Sequence, residues 1–457
     1  MTSIGIYLND AALAVAGQDQ PVSVMPSIVH ADPAHPEKTG SPAQDVARLT
    51  PRLVSTDHWM MLSRAGRKIP SSIRSIIRSE LRVRLAGWST DEPLQCAVPS
   101  VFGPEELSVV LALMRAEGFD VGAFYDAAPL VVARTALPGA TIVMEMGLGY
   151  ICASRVETDR EVRRRASTFR RGPGLLALYQ CWLQQIAEAM VLQTRFDPLH
   201  EGTSEQRLYD DLERAYSTAA QTGVTEIELP RPNGVVRINV SRDQFAEAAS
   251  SIYDEVVAVL HELRPAGDKT NILIDESLLR LPGFLGRLAS VRGCRVFSHS
   301  TGLASRAAAT ERGRADADGS VSIQRGFTPL QPIESPKEID LSEFQSASDR
   351  PPTHALFEGK AIALPRGLLE IGRNPASHGL RLAEGLAGVS RLHCSLQGDE
   401  SGVTLIPHSP QGVWLNDERV RGRVRVSSGD RLRVGTPGVV IDLIAVGGAD
   451  HGASSQR

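Results

Sequence analysis

The sequence predicts a multidomain protein: a layered α/β region over residues 1–312, a flexible linker over 313–353, an all-β sandwich over 354–447 and a disordered tail over 448–457. Three observations carry that expectation. Strand-like and helix-like patterns alternate as far as Thr310, the pattern of α/β layers. Arg312 to Asp318 is then charged and Gly-rich, and Ser320 to Pro352 holds five prolines among many Ser and Glu, too few apolar residues to build a core. Beyond it, short apolar runs recur between turn residues, an all-β signature. A chain of 457 residues is in any case too long for one ordinary core.

Taken in order, Ile4 to Tyr7 and Leu13 to Ala16 alternate around the turn pair Asn9-Asp10 and predict a hairpin. Pro70 to Leu85 places Ile73, Ile76, Ile77 and Leu81 on one helical face. Pro104 to Glu117 combines Pro in the first turn, Glu105 and Glu106 at the positive helix end, and Leu107, Val110, Leu111 and Met114 at helical spacing. Ala140 to Met146 reads as a buried strand, Leu175 to Gln193 and Glu205 to Ala220 as helices, and Val235 to Val240 as a strand. Arg242 to Leu263 reads as one helix, and Asn271 to Ile274 as a short buried strand. In the C-terminal region strands are expected at 368–371, 393–397, 403–406, 413–415, 423–426, 431–434 and 439–444.

With 42% hydrophobic and 22% charged residues and a formal net charge of -4, the whole molecule offers no charge-based reason to bind nucleic acid or an anionic membrane. Neither is expected as a partner. No apolar run approaches a membrane span, and the N-terminus lacks a basic start followed by an apolar stretch, so a cytoplasmic location is expected. Cys96, Cys152, Cys181, Cys294 and Cys394 are scattered, with no CxxC pair and no His at zinc-ligand spacing; they read as reduced thiols rather than metal ligands.

Four features of the β region recur together: Gly372-Arg373 after a strand, Ser390-Arg391-Leu392-His393 seventeen residues on, Gly412 to Asn416, and Gly429-Asp430 before a strand. A planar guanidinium suits a phosphothreonine, which carries nearly two negative charges and three acceptor oxygens, and a serine hydroxyl adds a short donor beside it. The combination resembles the forkhead-associated (FHA) domain over about ninety residues. The resemblance assigns Arg373, Ser390, Arg391, Gln411 and Asn416 to the phosphopeptide. It assigns His393 to bracing the Ser390 loop, Gly372 to letting the chain turn, and Gly412 to the loop fold. The family's Ser/Thr-Asn-Gly run is replaced by Ser409-Pro410-Gln411-Gly412, so Gln411 takes the place of an Asn and Pro410 lacks both a hydroxyl and a backbone donor. An alternative role for Arg373 is an ion pair with a carboxylate such as Glu384.

The N-terminal region resembles the actin-like ATPase domain of the seventy-kilodalton heat-shock chaperones. Ala97 to Phe119 followed by Asp126 to Ala133 carries the resemblance best, with Ile4 to Val15 and Ile142 to Ala153 at the phosphate hairpins and Asn271 to Leu288 at the adenosine strand. That family cradles phosphates on glycine-freed amides and holds magnesium with carboxylates. Here the first loop, usually Asp-x-Gly-Thr, reads Tyr7-Leu8-Asn9-Asp10; the second keeps Gly147 and Gly149 but begins at Glu145. The base pocket keeps Glu213, with Tyr216 and Ala220 after it, and has Asp275-Glu276 where glycines normally admit the nucleotide. The expected reading is a degenerate nucleotide site at these positions, with no catalytic residues, no metal and no cofactor.

Two basic stripes, Arg160 to Arg171 and Arg74, Arg78 and Arg82, read as solvated faces. Arg164-Arg165-Ala166-Ser167 and Thr328-Pro329 resemble kinase sites whose phosphates would dock on the C-terminal sandwich in cis or in trans. The expected function is a phosphothreonine-binding adaptor in bacterial-type Ser/Thr-kinase signalling with a pseudo-ATPase scaffold. The alternative is an ATP-binding, chaperone-like or filament-like ATPase recruited to phosphorylated partners, which would need Mg-ATP.

Overall fold

A computed structural model describes residues 3–444 apart from 18–19, 33–36, 66–68, 89–91, 136, 232–233, 265–269, 292–293, 330, 342–343, 345–350, 359, 377–378, 384, 400–401, 417 and 436–437. The chain divides into two compact units, Met1–Asp340 and Leu341–Arg457.

The first unit is mixed α/β and is built on two sheets whose central five strands share one order. In the first, edge to edge, run Ser23–Met25, Leu13–Ala16, Gly5–Tyr7, Leu94–Val98 and Val121–Asp126; in the second, Val162–Arg171, Tyr150–Thr158, Thr141–Met146, Thr270–Asp275 and Cys294–His299. Each set starts as an antiparallel meander of three, and the two later strands then lie parallel to the first. Helical crossovers make those parallel joins possible: Pro104–Ala116 links the fourth and fifth strands of the first sheet, and Phe284–Ala289 those of the second.

Helices start and stop where the sequence signals lie. The Gly103 amide donates to Glu106 Oε2 at 2.9 Å, closing the start of Pro104–Ala116, whose Leu107, Val110 and Met114 are buried. Ser71–Arg84 buries Ile73, Ile77 and Leu81. On its other side Arg78 and Arg82 both grip Glu117, at 2.5 and 2.8 Å, so two members of that stripe tie adjacent helices rather than facing water alone. The expected single helix over 242–263 is two, Arg242–Ala248 and Ser250–Leu263. They part at Ala249, where the Phe245 carbonyl accepts both the Ala249 amide and the Trp182 indole; an extra donor in the ladder is a common cause of such breaks.

The expected linker is largely not a linker. Ile323–Gln324 pairs with Phe124 and Tyr125 at the edge of the first sheet, Gly326–Phe327 with Val162 and Arg163 in the second, and Lys337–Ile339 with Val296 to Ser298. Phe327 is 4% exposed and joins the core. These strands are two or three residues long and sit at sheet edges, so they leave almost no apolar pattern to read. The unit boundary therefore falls after Asp340.

The second unit is a β-sandwich. One sheet has six strands, Lys360–Ala363, His354–Phe357, Val439–Ile444, Arg431–Val434, Val413–Leu415 and Glu418–Val420; the other has five, Leu380–Arg381, Leu368–Gly372, Cys394–Asp399, Gly402–Pro407 and Val424–Val426. Alternate residues Leu369 and Ile371, Leu396, Leu405, Leu432, Ile441 and Leu443 are buried between them, the inner-face pattern of packed sheets. The expected tail, 448–457, lies outside the described residues.

Candidate functional site

The site of the second unit is assembled by backbone contact between two loops. The strand Leu368–Gly372 delivers Arg373, whose amide donates to the Ser390 carbonyl at 3.0 Å, and the Asn374 amide donates to the Arg391 carbonyl at 2.9 Å. Gly372 is needed for this close approach: a Cβ there would stand 2.2 Å from the Arg391 carbonyl oxygen and 2.9 Å from that of Ser390. Its φ is not in the left-handed region. The expectation that Gly372 serves a turn is thus corrected to one of space.

His393, fully buried, fixes the second loop from below. Its Nδ1 accepts the Ser390 amide at 3.1 Å and its Nε2 lies 2.7 Å from the Gly412 carbonyl. An amide can only donate and a carbonyl only accept, so the ring is the neutral tautomer protonated on Nε2. Burial lowers its pKa, with the Gly412 carbonyl pulling the other way. The third loop is joined in the same way: Ser390 Oγ lies 2.6 Å from Ser409 Oγ, which also accepts the Gln411 amide at 3.2 Å. Gly412 has φ 92°, the left-handed region that favours glycine.

The Arg373 guanidinium projects from this frame half-buried, and its Nε is enclosed without a hydrogen-bond partner. No carboxylate among the described residues pairs with it; Glu384, the alternative partner, lies outside them. A half-buried guanidinium beside a serine hydroxyl, with its donors free, is an anion site waiting for acceptors. Residues 369–435 match the FHA domain family model. The match covers both loops and supports phosphothreonine binding by the C-terminal FHA domain. No curated protein matches the chain.

Among the other expected peptide residues, Arg391 and Gln411 are exposed on the two loops. Asn416 is held differently: at φ 50° its Nδ2 donates to Asp430 Oδ1 at 2.8 Å and its Oδ1 accepts the Arg431 amide at 2.9 Å. Its side chain joins two turns. Ser409 was not singled out from the sequence, because its contact with Ser390 spans nineteen residues and carries no local motif.

In the first unit, Tyr7, Asn9, Glu145, Glu213, Asp275 and Glu276 all line one cleft of about 810 Å³ between the two sheets. The loops that meet there bind each other. Asp10, 2% exposed, accepts the Leu148 amide at 2.8 Å, and the Tyr7 hydroxyl donates to Glu145. The Gly147 amide donates to the Tyr150 carbonyl, and a Cβ on Gly147 would meet the Tyr150 ring at 2.1 Å; Gly149 has open space around its Cα. Burial raises Asp10 to about 6 and Glu145 to about 7. Farther along the cleft, Glu213 pairs with Arg280 at 3.1 Å, Asp275 caps the Ser277 amide at 2.8 Å and accepts the Thr301 hydroxyl at 2.6 Å, and Glu276 accepts the Thr301 amide at 3.3 Å.

The remaining signals have structural partners. Along Val162–Arg171, Arg163, Arg164, Arg165 and Arg170 pair with Glu161, Asp126, Glu157 and Glu262, and Arg164 also donates to Ser167 Oγ at 2.8 Å. Thr328 is exposed directly after the strand Gly326–Phe327. Among the described residues no helix is long and apolar enough to cross a membrane.

Proposed function

We propose that the protein is a phosphothreonine-peptide-binding adaptor of a Ser/Thr-kinase pathway in the cytoplasm, carried on a pseudo-ATPase scaffold. One observation bears most of the weight: Arg373, whose guanidinium has no partner among the described residues, is joined through its amide to the Ser390 carbonyl on loops that Gly372 and His393 hold in place. Such preorganisation lowers the ordering cost of binding a phosphate. A phosphopeptide pull-down comparing wild type with Arg373→Ala and Ser390→Ala tests it. Full retention by Arg373→Ala would show the site to be misassigned.

The scaffold reading rests on the first unit. The repeated strand order supports an actin-like, two-lobed plan for residues 1–340. Where such a plan would cradle phosphates, the Asp10 carboxylate already takes the Leu148 amide and Tyr7 already takes Glu145. An anion fixed on the loop repels a second anion, which supports loss of hydrolysis. The residues present do not fit Mg-ATP: the cleft walls bring Glu145, Glu213, Asp275 and Glu276 against it, and its one lining arginine, Arg280, is engaged by Glu213. The size of the cleft alone favours the alternative, nucleotide-driven reading. A thermal-shift series with Mg-ATP separates the two, since a ligand at a hundredfold excess over its Kd stabilises by about 2.7 kcal/mol.

A further inference from the structure

We propose that the phosphothreonine taken by Arg373 lies in a strongly anionic segment, with carboxylates or a second phosphate reaching Arg381, Arg391 and Arg419. This rests on the phosphopeptide reading above and specifies its ligand class.

Each of these arginines lies beside the phosphate grip, Arg391 on the Ser390 loop and Arg381 and Arg419 on the short strands Leu380–Arg381 and Glu418–Val420. Arg381 donates to Asn374 Oδ1 at 3.2 Å, next to Arg373. Arg391 follows Ser390 and is exposed, and its side chain makes no hydrogen bond or ion pair with the described residues. Arg419 donates to the Pro410 carbonyl at 3.0 Å, on the loop that Ser409 joins to Ser390. None of the three pairs with a carboxylate among the described residues. Some exposed arginines elsewhere do, Arg163 with Glu161, Arg165 with Glu157, Arg295 with Glu338 and, in the same sandwich, Arg431 with Asp442 at 2.8 Å, whereas Arg366 and Arg421 do not among the described residues.

Acid is sparse along the two stretches that carry the grip, although Asp417 and Glu418 directly precede Arg419. From Arg373 to Gly398 there are three arginines and one acid, Glu384, and from Gly402 to Asn416 there is none. Glu370, which reaches the first loop, is engaged in capping the Ala376 amide at 2.7 Å. Positive charge gathered around the grip raises the local concentration of anionic segments and favours them over neutral ones. Pro410 adds to this, because it has no amide to offer a peptide backbone; side-chain charge then carries more of the recognition.

The test uses the full chain and three labelled peptides with one phosphothreonine core, flanked by neutral residues, by Asp and Glu, or by a phosphoserine. Fluorescence anisotropy is read at low and high salt. The anionic peptides are expected to bind about tenfold more tightly at low salt, and the gain shrinks as salt screens it. The double variant Arg381→Ala, Arg419→Ala loses most of the gain and still binds the neutral peptide, whereas Arg373→Ala binds none. A gain with carboxylates assigns an acidic sequence; a gain confined to the phosphoserine peptide assigns a second phosphate. Equal affinity for neutral and anionic peptides, or a preference untouched in the double variant, overturns the proposal while leaving the parent reading intact. Failure of wild type to bind any of the three removes both.

Discussion

Replacing Gly372 by Ala separates the frame of the phosphate site from its chemistry, because it leaves Arg373 and Ser390 unaltered. The new Cβ would lie 2.2 Å from the Arg391 carbonyl oxygen and 2.8 Å from its carbon, both backbone atoms that cannot rotate away. An ordinary contact needs about 1 Å more, so the Ser390 loop must lift off. Two hydrogen bonds, Arg373 N–H to the Ser390 carbonyl and Asn374 N–H to that of Arg391, stretch with it. At about 1 kcal/mol for each bond and about 1–3 kcal/mol for overpacking, the sandwich loses about 3–5 kcal/mol. For a domain of this size that lowers the melting temperature by 10 °C or more, on the order of 4–8 °C per kcal/mol. Thermal denaturation of the full chain, followed beside anisotropy with a phosphothreonine peptide below the new midpoint, reads both effects. The C-terminal transition should move down and affinity should fall at least tenfold. Wild-type affinity in a folded Gly372→Ala protein would refute the argument that loop contact sets the site.

Arg373→Lys should bind more weakly than wild type by tenfold or more, since an ammonium cannot reproduce the planar fork; calorimetry showing equal affinity would count against bidentate recognition. His393 has a lowered pKa, so the folded sandwich holds it neutral, and its contribution is present above about pH 6.5 and lost as acidification protonates it. The C-terminal transition should therefore weaken below pH 6.5 in wild type and not in His393→Gln. Asp10 is the opposite case: its pKa rises from 3.8 to about 6, so the ionised form costs the folded state about 3 kcal/mol above pH 6 and nothing below pH 4. Asp10→Asn keeps an acceptor for the Leu148 amide, so it should raise the melting point at pH 8 and leave it unchanged at pH 4. Glu80, fully buried, accepts Ser27 at 2.6 Å, Trp59 at 2.8 Å and His58 at 2.9 Å. Glu80→Ala strands those donors and should destabilise the first unit by about 3–5 kcal/mol by denaturant titration.

What could be read from the chain was what depends on neighbouring residues. Gly372-Arg373 and Ser390 to His393 are short strings with fixed chemistry, and alternation along 394–399 or 402–407 reports one buried face directly. What could not be read was contact between distant residues. Ser27, His58 and Glu80 meet in one buried cluster across 53 positions, and each alone is an ordinary polar residue. Asp10 reads in the sequence as half of a turn pair; only the fold reveals the Leu148 amide that it serves. Three short edge strands of the sandwich, 360–363, 380–381 and 418–420, show little pattern because edge pairing needs few apolar side chains, and 354–357, inside its sheet, fully buries only Ala355.

The edge strands between 323 and 327 constrain motion in the first unit. Ile323–Gln324 belongs to one sheet and Gly326–Phe327 to the other, so Arg325 alone separates them. One residue spans at most about 3.6 Å, which leaves no slack for the sheets to part on that side. Opening on that side is tethered at Arg325, like a book held at its spine. Cutting the chain after residue 312 would remove that spine and bare a strand edge on each half.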